Sequence, residues 1–540
     1  MSSTAAMVGD VRAAHVVLSR LGYGPAEGEA ARFVEMGLQA WLEGQLTPVD
    51  GDDARAAAAL KAAKLRIAYE AGKNDEGDAY EALDEERGLE TLGDEIAKHW
   101  WRTKWNKGVA WAERVRPLAE LRCATVIRAR ESSYQLREVM VDFWHNHFHV
   151  NAGGDDIRAS VAMPWYDRDV IRRDCLGNFR EFVEAVASHP AMLAYLNNAS
   201  SKASPANENF ARELFELHTL GRGAYLNALF NRWRDVPGAM AGNAEGYIDQ
   251  DVYEAARAFT GWTIADGGWN GMDNGRLPDG GAFLYMDAWH DHYQKRVLAS
   301  EFDPSQPPLA DGRKVLDLVA FHPATAKHVC MKLCRRLLMD EPTQALVERV
   351  VAVWNEHAKA KDQIARVVRA IVMSDEFAKT SPGKAKRPLE LAMSFTRTTG
   401  AKVRADNAWS WSLEAAGQPM FAWPAPTGLP DVSSYWLSTS MMVSRWNMPI
   451  LLMADWFKGT RVRLMKQMPD DADTAAKVVA FWSMRMIGME LDEPRRKVIE
   501  RLVAGDDDVH AALDVGESEL AQRVQRAVVG LAMSPEFQVR

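Results

Sequence analysis

The sequence predicts a mainly α protein, a multi-helix globular architecture with long irregular loops and two similar helical units in its C-terminal part. Three observations lead there. Apolar residues recur at three- and four-residue steps along most of the chain, the period of a helix with one buried face. Strand-like alternation is scarce. Gly and Pro gather in two irregular stretches, 263–288 and 417–436. At 540 residues the chain is long enough for several domains. We expect a helical domain over 1–312 that carries the chemistry, a first helical repeat unit over 313–400, and a Pro/Trp-rich loop with a second unit over 401–540.

Residues 10–47 suggest two short helices around the turn Arg20-Leu21-Gly22-Tyr23-Gly24-Pro25. Residues 51–120 are rich in Ala, Glu, Lys and Asp, so we expect a long, solvated helical excursion. Residues 112–150 form an amphipathic helical region that ends in Phe143-Trp144-His145-Asn146-His147-Phe148-His149. Helices follow over 165–198, 207–221 and 249–262. The Gly-rich 263–288 is expected to be a long loop or a small hairpin, and such segments are often functional. It leads directly into Trp289-His290-Asp291-His292. Helices return over 314–377 and again after the Pro- and aromatic-rich 417–436.

An internal repeat marks the last part. Asp340-Glu341-Pro342, then Val347-Glu348-Arg349-Val350-Val351, matches Asp492-Glu493-Pro494, then Ile499-Glu500-Arg501-Leu502-Val503, in the same register. The copies end alike, at Met373-Ser374-Asp375-Glu376-Phe377 and Met533-Ser534-Pro535-Glu536-Phe537. Each is expected to be a similar helical unit with a helix starting at its Pro.

Composition narrows function. A net charge of −9 and a pI near 5.9 argue against nonspecific nucleic-acid binding. Met1–Arg20 holds no signal-like apolar run, and no segment is apolar enough to span a bilayer. The chain as written is therefore expected in the cytoplasm, without nucleic-acid or membrane partners. Cys330 and Cys334 lie four apart on a helix and no CxxC occurs, so free thiols are expected and cysteine-bound zinc is not. The 19 Trp suit helical core packing; Trp262, Trp269, Trp289, Trp423 and Trp436, beside Gly- and Pro-rich loops, could instead line a cleft for a glycan.

Seven of the 13 histidines fall between 145 and 292, which places the chemistry there. The stretch Asn207–Gly221 carries Glu208, Arg212, Glu213, Glu216 and His218 within eleven residues of an apolar-striped helix. If 140–149 is helical, Asp142, His145 and His149 share a face at metal-ligand spacing and His147 points away. If the helix ends near His145, His145 and His147 point the same way instead. A Glu-x-x-His diiron pattern is absent from Asn207–Gly221. Ser-nucleophile, Walker and dinucleotide motifs do not stand out either.

Several stretches together resemble the bacterial family catalogued as domain of unknown function 1800. They are His145-Asn146-His147-Phe148 after Phe143-Trp144, the Asn207–Gly221 stretch, Ala256-Arg257-Ala258-Phe259-Thr260-Gly261-Trp262, His290-Asp291 with Lys295, His322-Pro323-Ala324-Thr325-Ala326, and Ser534-Pro535-Glu536-Phe537-Gln538. The resemblance spans about Arg12 to Arg540. It implies no settled activity; it does imply an often exported family, often encoded beside a sulfatase-like partner. Its pattern includes His145, His147, Glu208, Glu213, His290 and Asp291.

From these observations we expect a metal-dependent enzyme, hydrolytic by preference, acting on a small molecule or glycan. His145, His147, Glu213 and His290 are the candidate ligands of a divalent ion (Zn, Mn or Fe), which would acidify a bound water. Glu208 and Asp291 are the candidate acid/base groups. Two alternatives stand beside this: a metal-free glycan-active enzyme using Glu208 or Glu213 with Asp291, and a non-catalytic binding or scaffold protein with a Trp-lined cleft. A protein partner is left open.

Overall fold

Helix Gln363–Val372 shows how the sequence pattern becomes packing. Ile364, Val367, Val368, Ile371 and Val372 are all buried, while Arg366 on the other face is only half-buried. Most of the chain follows this rule in the computed structural model, which describes residues 10–49, 53–74, 77–105, 108–271 and 275–540. The expectation for Met1–Arg20 thus falls partly outside the described residues. Helices dominate, and the strands form two-stranded antiparallel pairs. No described helix is long and apolar enough to cross a membrane.

One hydrophobic cluster runs from Ala14 to Phe537 and takes residues from 1–312, 313–400 and 401–540 alike. The two C-terminal units have the same helix order. In the first, Pro323–Leu337, Gln344–Glu356, Gln363–Val372 and Asp375–Ala378 follow one another; in the second, Ala475–Ile487, Glu493–Ala504, Glu517–Met533 and Pro535–Gln538 do. Within each unit the first three helices pack on one another and the short fourth packs on the third. The starts differ in detail. Asp492 caps its helix, with Pro494 in the first turn, whereas the other copy begins two residues after Pro342 with Thr343 as cap.

The expected helical excursion over 51–120 fails in its middle. Ala54–Ala62 is helical, but Leu65–Tyr69 pairs antiparallel with Leu83–Arg87. Leu65 and Ile67 are buried and Arg66 and Ala68 exposed, a period of two that charge-rich neighbours conceal in the sequence. The Gly-rich stretch after Gly261 is a hairpin, Trp262–Ile264 against Phe283–Tyr285.

Helix Gln135–His147 is held from several distant parts of the chain. Its Asp142 accepts from Arg336 at 3.1 Å and from Arg387. Arg336 also pairs with Glu390 at 2.6 Å, and Arg540 lies 3.2 Å from the same carboxylate. Arg336, Arg387, Glu390 and Arg540 are each no more than 3% exposed. Burial alone would raise the Glu390 carboxyl; Arg336, Arg540 and Arg387 outweigh it and hold it well below the usual carboxylate range. Replacing Glu390 with Ala leaves three buried guanidiniums without their common partner, and the expected loss is about 3–5 kcal/mol of unfolding free energy. Urea denaturation of Glu390→Ala against the parent reads it. A loss below about 1 kcal/mol, the range of surface pairs, would show the network to be dispensable.

Candidate functional site

The His cluster sits at the end of helix Gln135–His147; His145 and His149 face one cavity and His147 faces away from it. His145 Nε2 lies 3.0 Å from Asp167 Oδ1. A carboxylate only accepts, so Nε2 carries the proton and Nδ1 the lone pair of the neutral ring. That Nδ1 is buried and has no hydrogen-bond partner among the described residues. Asp167 is fixed in turn by Arg172 Nε at 2.9 Å and Arg128 Nη1 at 3.1 Å. Arg172 grips Glu138 with both terminal nitrogens, at 3.0 and 2.6 Å. Burial would raise the Asp167 carboxyl, but Arg172, the His145 hydrogen bond and Arg128 hold it well below the usual carboxylate range.

Asp142, His145 and His149 all line one narrow cavity of about 60 Å³, together with Tyr23, Glu138 and Asp167. The helix ends at His147, so His149 lies beyond it and joins Asp142 and His145 at the cavity only after the turn at Phe148, while His147 points elsewhere. The cavity roof is the Pro- and aromatic-rich 417–436. Phe421, Trp423 and Leu429 line it, and the Phe421 ring meets His145 edge-on at 4.9 Å between centroids. Helix and roof are clamped. Asn146 donates to Leu429 O at 2.8 Å and accepts from Leu429 N at 2.5 Å; His149 Nε2 donates to Trp423 O at 2.8 Å. Gly428, at φ +68°, permits this approach, because a Cβ there would sit 2.2 Å from Asn146 O.

His147 belongs to a second group. Its Nε2 donates to His218 O at 3.0 Å, and His328 Nε2 donates to Leu217 O at 3.1 Å. Both acceptors belong to a π-helical turn, Leu214–His218, that follows the short α-helix Asn209–Glu213. The expected single helix over Asn207–Gly221 therefore changes register halfway. His218 is 1% exposed, and neither of its ring nitrogens has a partner. The His147 ring stands 6.3 Å from that of His218 and 6.1 Å from that of His328. Burial lowers His218 to about 3, His328 to about 4 and Lys332, beside them, to about 8.

His290 and Asp291 form a third group. His290 Nδ1 faces Thr260 O at 2.9 Å and its Nε2 faces Asp311 at 3.2 Å, so both ring nitrogens are engaged within the protein. Asp291 takes two hydrogen bonds from Arg257, at 2.7 and 3.1 Å, and Lys295 pairs with Asp311 at 2.7 Å. Burial would raise the Asp291 carboxyl; the bonds from Arg257 and from Tyr293 N, with Lys295 nearby, leave it lowered.

Glu208 and Glu213 do not find the imidazoles the sequence suggested as their partners. Glu208 pairs with Arg212 at 3.3 Å. Glu213 is half-buried, and burial together with neighbouring Glu216 raises its carboxyl. So His145, His147, His290 and Glu213 stand in different local groups. Among the described residues no three His, Cys, Asp or Glu side chains are arranged to hold a metal ion. Of the tryptophans suggested for a cleft, Trp262, Trp289 and Trp436 are buried core residues, Trp269 is exposed, and Trp423 lines the cavity roof. The four cysteines are buried and free.

Sequence reasoning missed Asp167, Arg172 and His328. Asp167 and Arg172 are five apart, the repeat of the π-helical turn Asp167–Arg172, and that spacing is the available signal. His328 and Lys332 are four apart on a helix, a pair with no motif around it.

The family described as "Protein of unknown function (DUF1800)" matches residues 16–539, and the chain belongs to it. No curated protein and no solved structure matches the chain.

The buried imidazoles make a pH prediction. His149 is lowered to about 4 by burial, as His328 is, and His218 to about 3. Below about 6.5 the unfolded chain protonates these rings while the native one does not, so stability is full above that pH and falls as pH drops. Each ring contributes a loss of up to about 1.4 kcal/mol per pH unit. Asp251, pushed up to about 6 by burial, works in the opposite sense and offsets part of it. Urea midpoints at pH 7.5 and 5 should differ clearly; equal midpoints would mean these rings are solvated.

Proposed function

We propose that this protein is a hydrolytic enzyme in which His145 moves the proton and Asp167 positions the ring. One observation carries this reading. His145 is buried beside a cavity, its Nε2–H is committed to Asp167, and its Nδ1 lone pair has no partner. In such a pair the carboxylate fixes the tautomer and stabilises the imidazolium once it forms. A water in the cavity, hydrogen-bonded to Nδ1, would lose its proton to that nitrogen as it attacks an ester carbon or phosphorus. The same ring would then return the proton to the leaving oxygen. Glu138 and Arg172 form part of the cavity wall and also line a cleft of about 920 Å³ on their other side. Arg128, Arg137, Arg168 and Arg173 share that cleft, which favours a small anionic substrate.

A panel of chromogenic carboxylate, phosphate and sulfate esters tests this. His145→Asn should lose roughly 10²–10⁴-fold in kcat on any substrate the parent hydrolyses. Asp167→Asn should lower kcat with little change in KM and shift the pH profile. Full activity of His145→Asn on such a substrate, in a variant of unchanged thermal stability, would overturn the assignment.

A second reading, a site for Zn, Mn or Fe, draws support from His147 and His328. Both donate Nε2–H to main-chain carbonyls and so present Nδ1 lone pairs, the arrangement usual for metal-bound imidazoles, and His218 lies beside them with both nitrogens unpartnered. The ring separations of 6.1 and 6.3 Å require the rings to turn before they could share an ion. Metal analysis of untagged protein decides it: stoichiometric metal lost in His218→Ala supports this reading, and metal-free protein that keeps full activity rejects it.

A further inference from the structure

Helix Thr439–Met453 presents an apolar face that stays about half exposed among the described residues. Val443, Trp446 and Ile450, three and four residues apart, are 52, 42 and 43% exposed. Just past the helix, Trp456 is 59% exposed. The helix contains no acidic residue, and its one cation, Arg445, is buried on the opposite face, where it holds Gln538 Oε1 at 2.8 Å and Gln538 O at 2.9 Å. The outward face is therefore fixed from behind. The neighbouring helix Asn407–Ala415 adds Trp411, 67% exposed, and the two segments join where Trp409 packs on Phe457 at 4.4 Å.

Cations flank this surface in the chain. Lys402, Lys458, Arg461, Arg463 and Lys466 are all exposed, and none has an ion-pair partner among the described residues. Two backbone hydrogen bonds of 2.9 Å hold Lys402 beside Arg461. Of the seven Lys and Arg between 402 and 466, Arg445 is buried and Arg404 pairs with Glu86, which leaves five cations against four Asp and Glu in a chain whose net charge is −9. The basic excess is local to the apolar patch.

We propose that this face docks on the surface of an anionic lipid bilayer. Trp446, Ile450 and Trp456 would enter the boundary between headgroups and acyl chains, where an amphipathic indole is favoured, and the free Lys and Arg would meet the lipid phosphates. The helix is too short to span, so the contact is peripheral. A second copy of the chain fits poorly, because a two-fold contact sets the flanking cations of one copy against those of the other. The expectation of no membrane partner rests on overall charge and on the lack of a spanning segment, and neither describes a local surface.

The test is sedimentation of the full chain with phosphatidylcholine vesicles and with vesicles that also contain phosphatidylglycerol. Binding should require the anionic lipid, weaken with salt, and fall roughly fivefold for each cation removed in Lys458→Gln and Arg463→Gln. Trp446→Glu should abolish it with an unchanged circular dichroism spectrum, and Trp456→Glu, at a residue 59% exposed, should weaken it in the same way. Equal binding to neutral vesicles, or none to either, overturns the proposal. A concentration-dependent dimer lost in Trp446→Glu overturns it in favour of self-association.

Discussion

Arg336 and Glu390 meet at 2.6 Å in a buried part of the core, and much of the architecture follows from giving the charges gathered there their partners. Buried charge is stabilising only where opposite charge and hydrogen bonds replace the lost hydration. Here the compensation comes from residues far apart in sequence: Asp142 from helix Gln135–His147, Arg387 and Glu390 from the start of helix Pro388–Thr398, and Arg540. Arg540 Nη1 also donates to Arg20 O at 2.8 Å, and Arg20 donates back to Arg540 O at 3.0 Å. The network thus ties the helix that carries His145 to the two repeat units. Asp142 lines the same cavity as His145, so the charge cluster and the candidate site share a wall.

Two π-helical turns set the geometry on either side of that helix. In Asp167–Arg172 the wider turn puts Arg172 over Asp167 rather than beyond it, and the 2.9 Å contact between them is what fixes the carboxylate facing His145. In Leu214–His218 the same widening turns two carbonyls toward His328 and His147. Gly221, at φ +84°, completes the approach, because a Cβ there would lie 2.6 Å from His328 Nδ1. A third irregularity is Phe421, a bulky residue at φ +57° directly over His145. Such a conformation costs on the order of 1–3 kcal/mol and persists only where its surroundings fix it. Three departures from regular backbone therefore converge on the His cluster and its roof.

The helices were legible because their information is local. The 3.6-residue period gave Gln363–Val372 and its neighbours, and the repeated Asp-Glu-Pro and Phe landmarks gave two units of equal helix order. Part of the site was local too: Asp142 and His145 are three apart on one helix and line one cavity, and the Pro-rich stretch 417–436 is its roof. The rest depended on partners no spacing encodes. Asp167 reaches His145 across two helices, His290 is occupied by Thr260 and Asp311, and the hairpin at Leu65–Tyr69 hides its two buried residues among charges. Glu208 and Glu213 drew attention as ionisable groups on an apolar helix, but partial exposure and Arg212 relieve the cost that made imidazole partners seem necessary.

The cavity roof and the exposed helix are one continuous piece of chain. The 417–436 stretch ends in the short helix Ser433–Trp436, and Thr439–Met453 begins three residues later. The roof is held to the site by Asn146, His149 and Ala152, whose N–H donates to Phe421 O at 2.8 Å. The helix is held to the C-terminal unit by Arg445. The roof anchors act at residues 421–429 and the helix anchor at Arg445, so entry of a substrate from the roof side would require the first set to release. A surface bound at Val443, Trp446 and Ile450 would bias that release only by the difference in its affinity for the closed and open arrangements. The helix touches the start of the roof, where Ser444 Oγ donates to Ala415 O at 3.4 Å and a Cβ on Gly417 would sit 2.4 Å from Met441 Cε, so docking would act on the roof only through that contact.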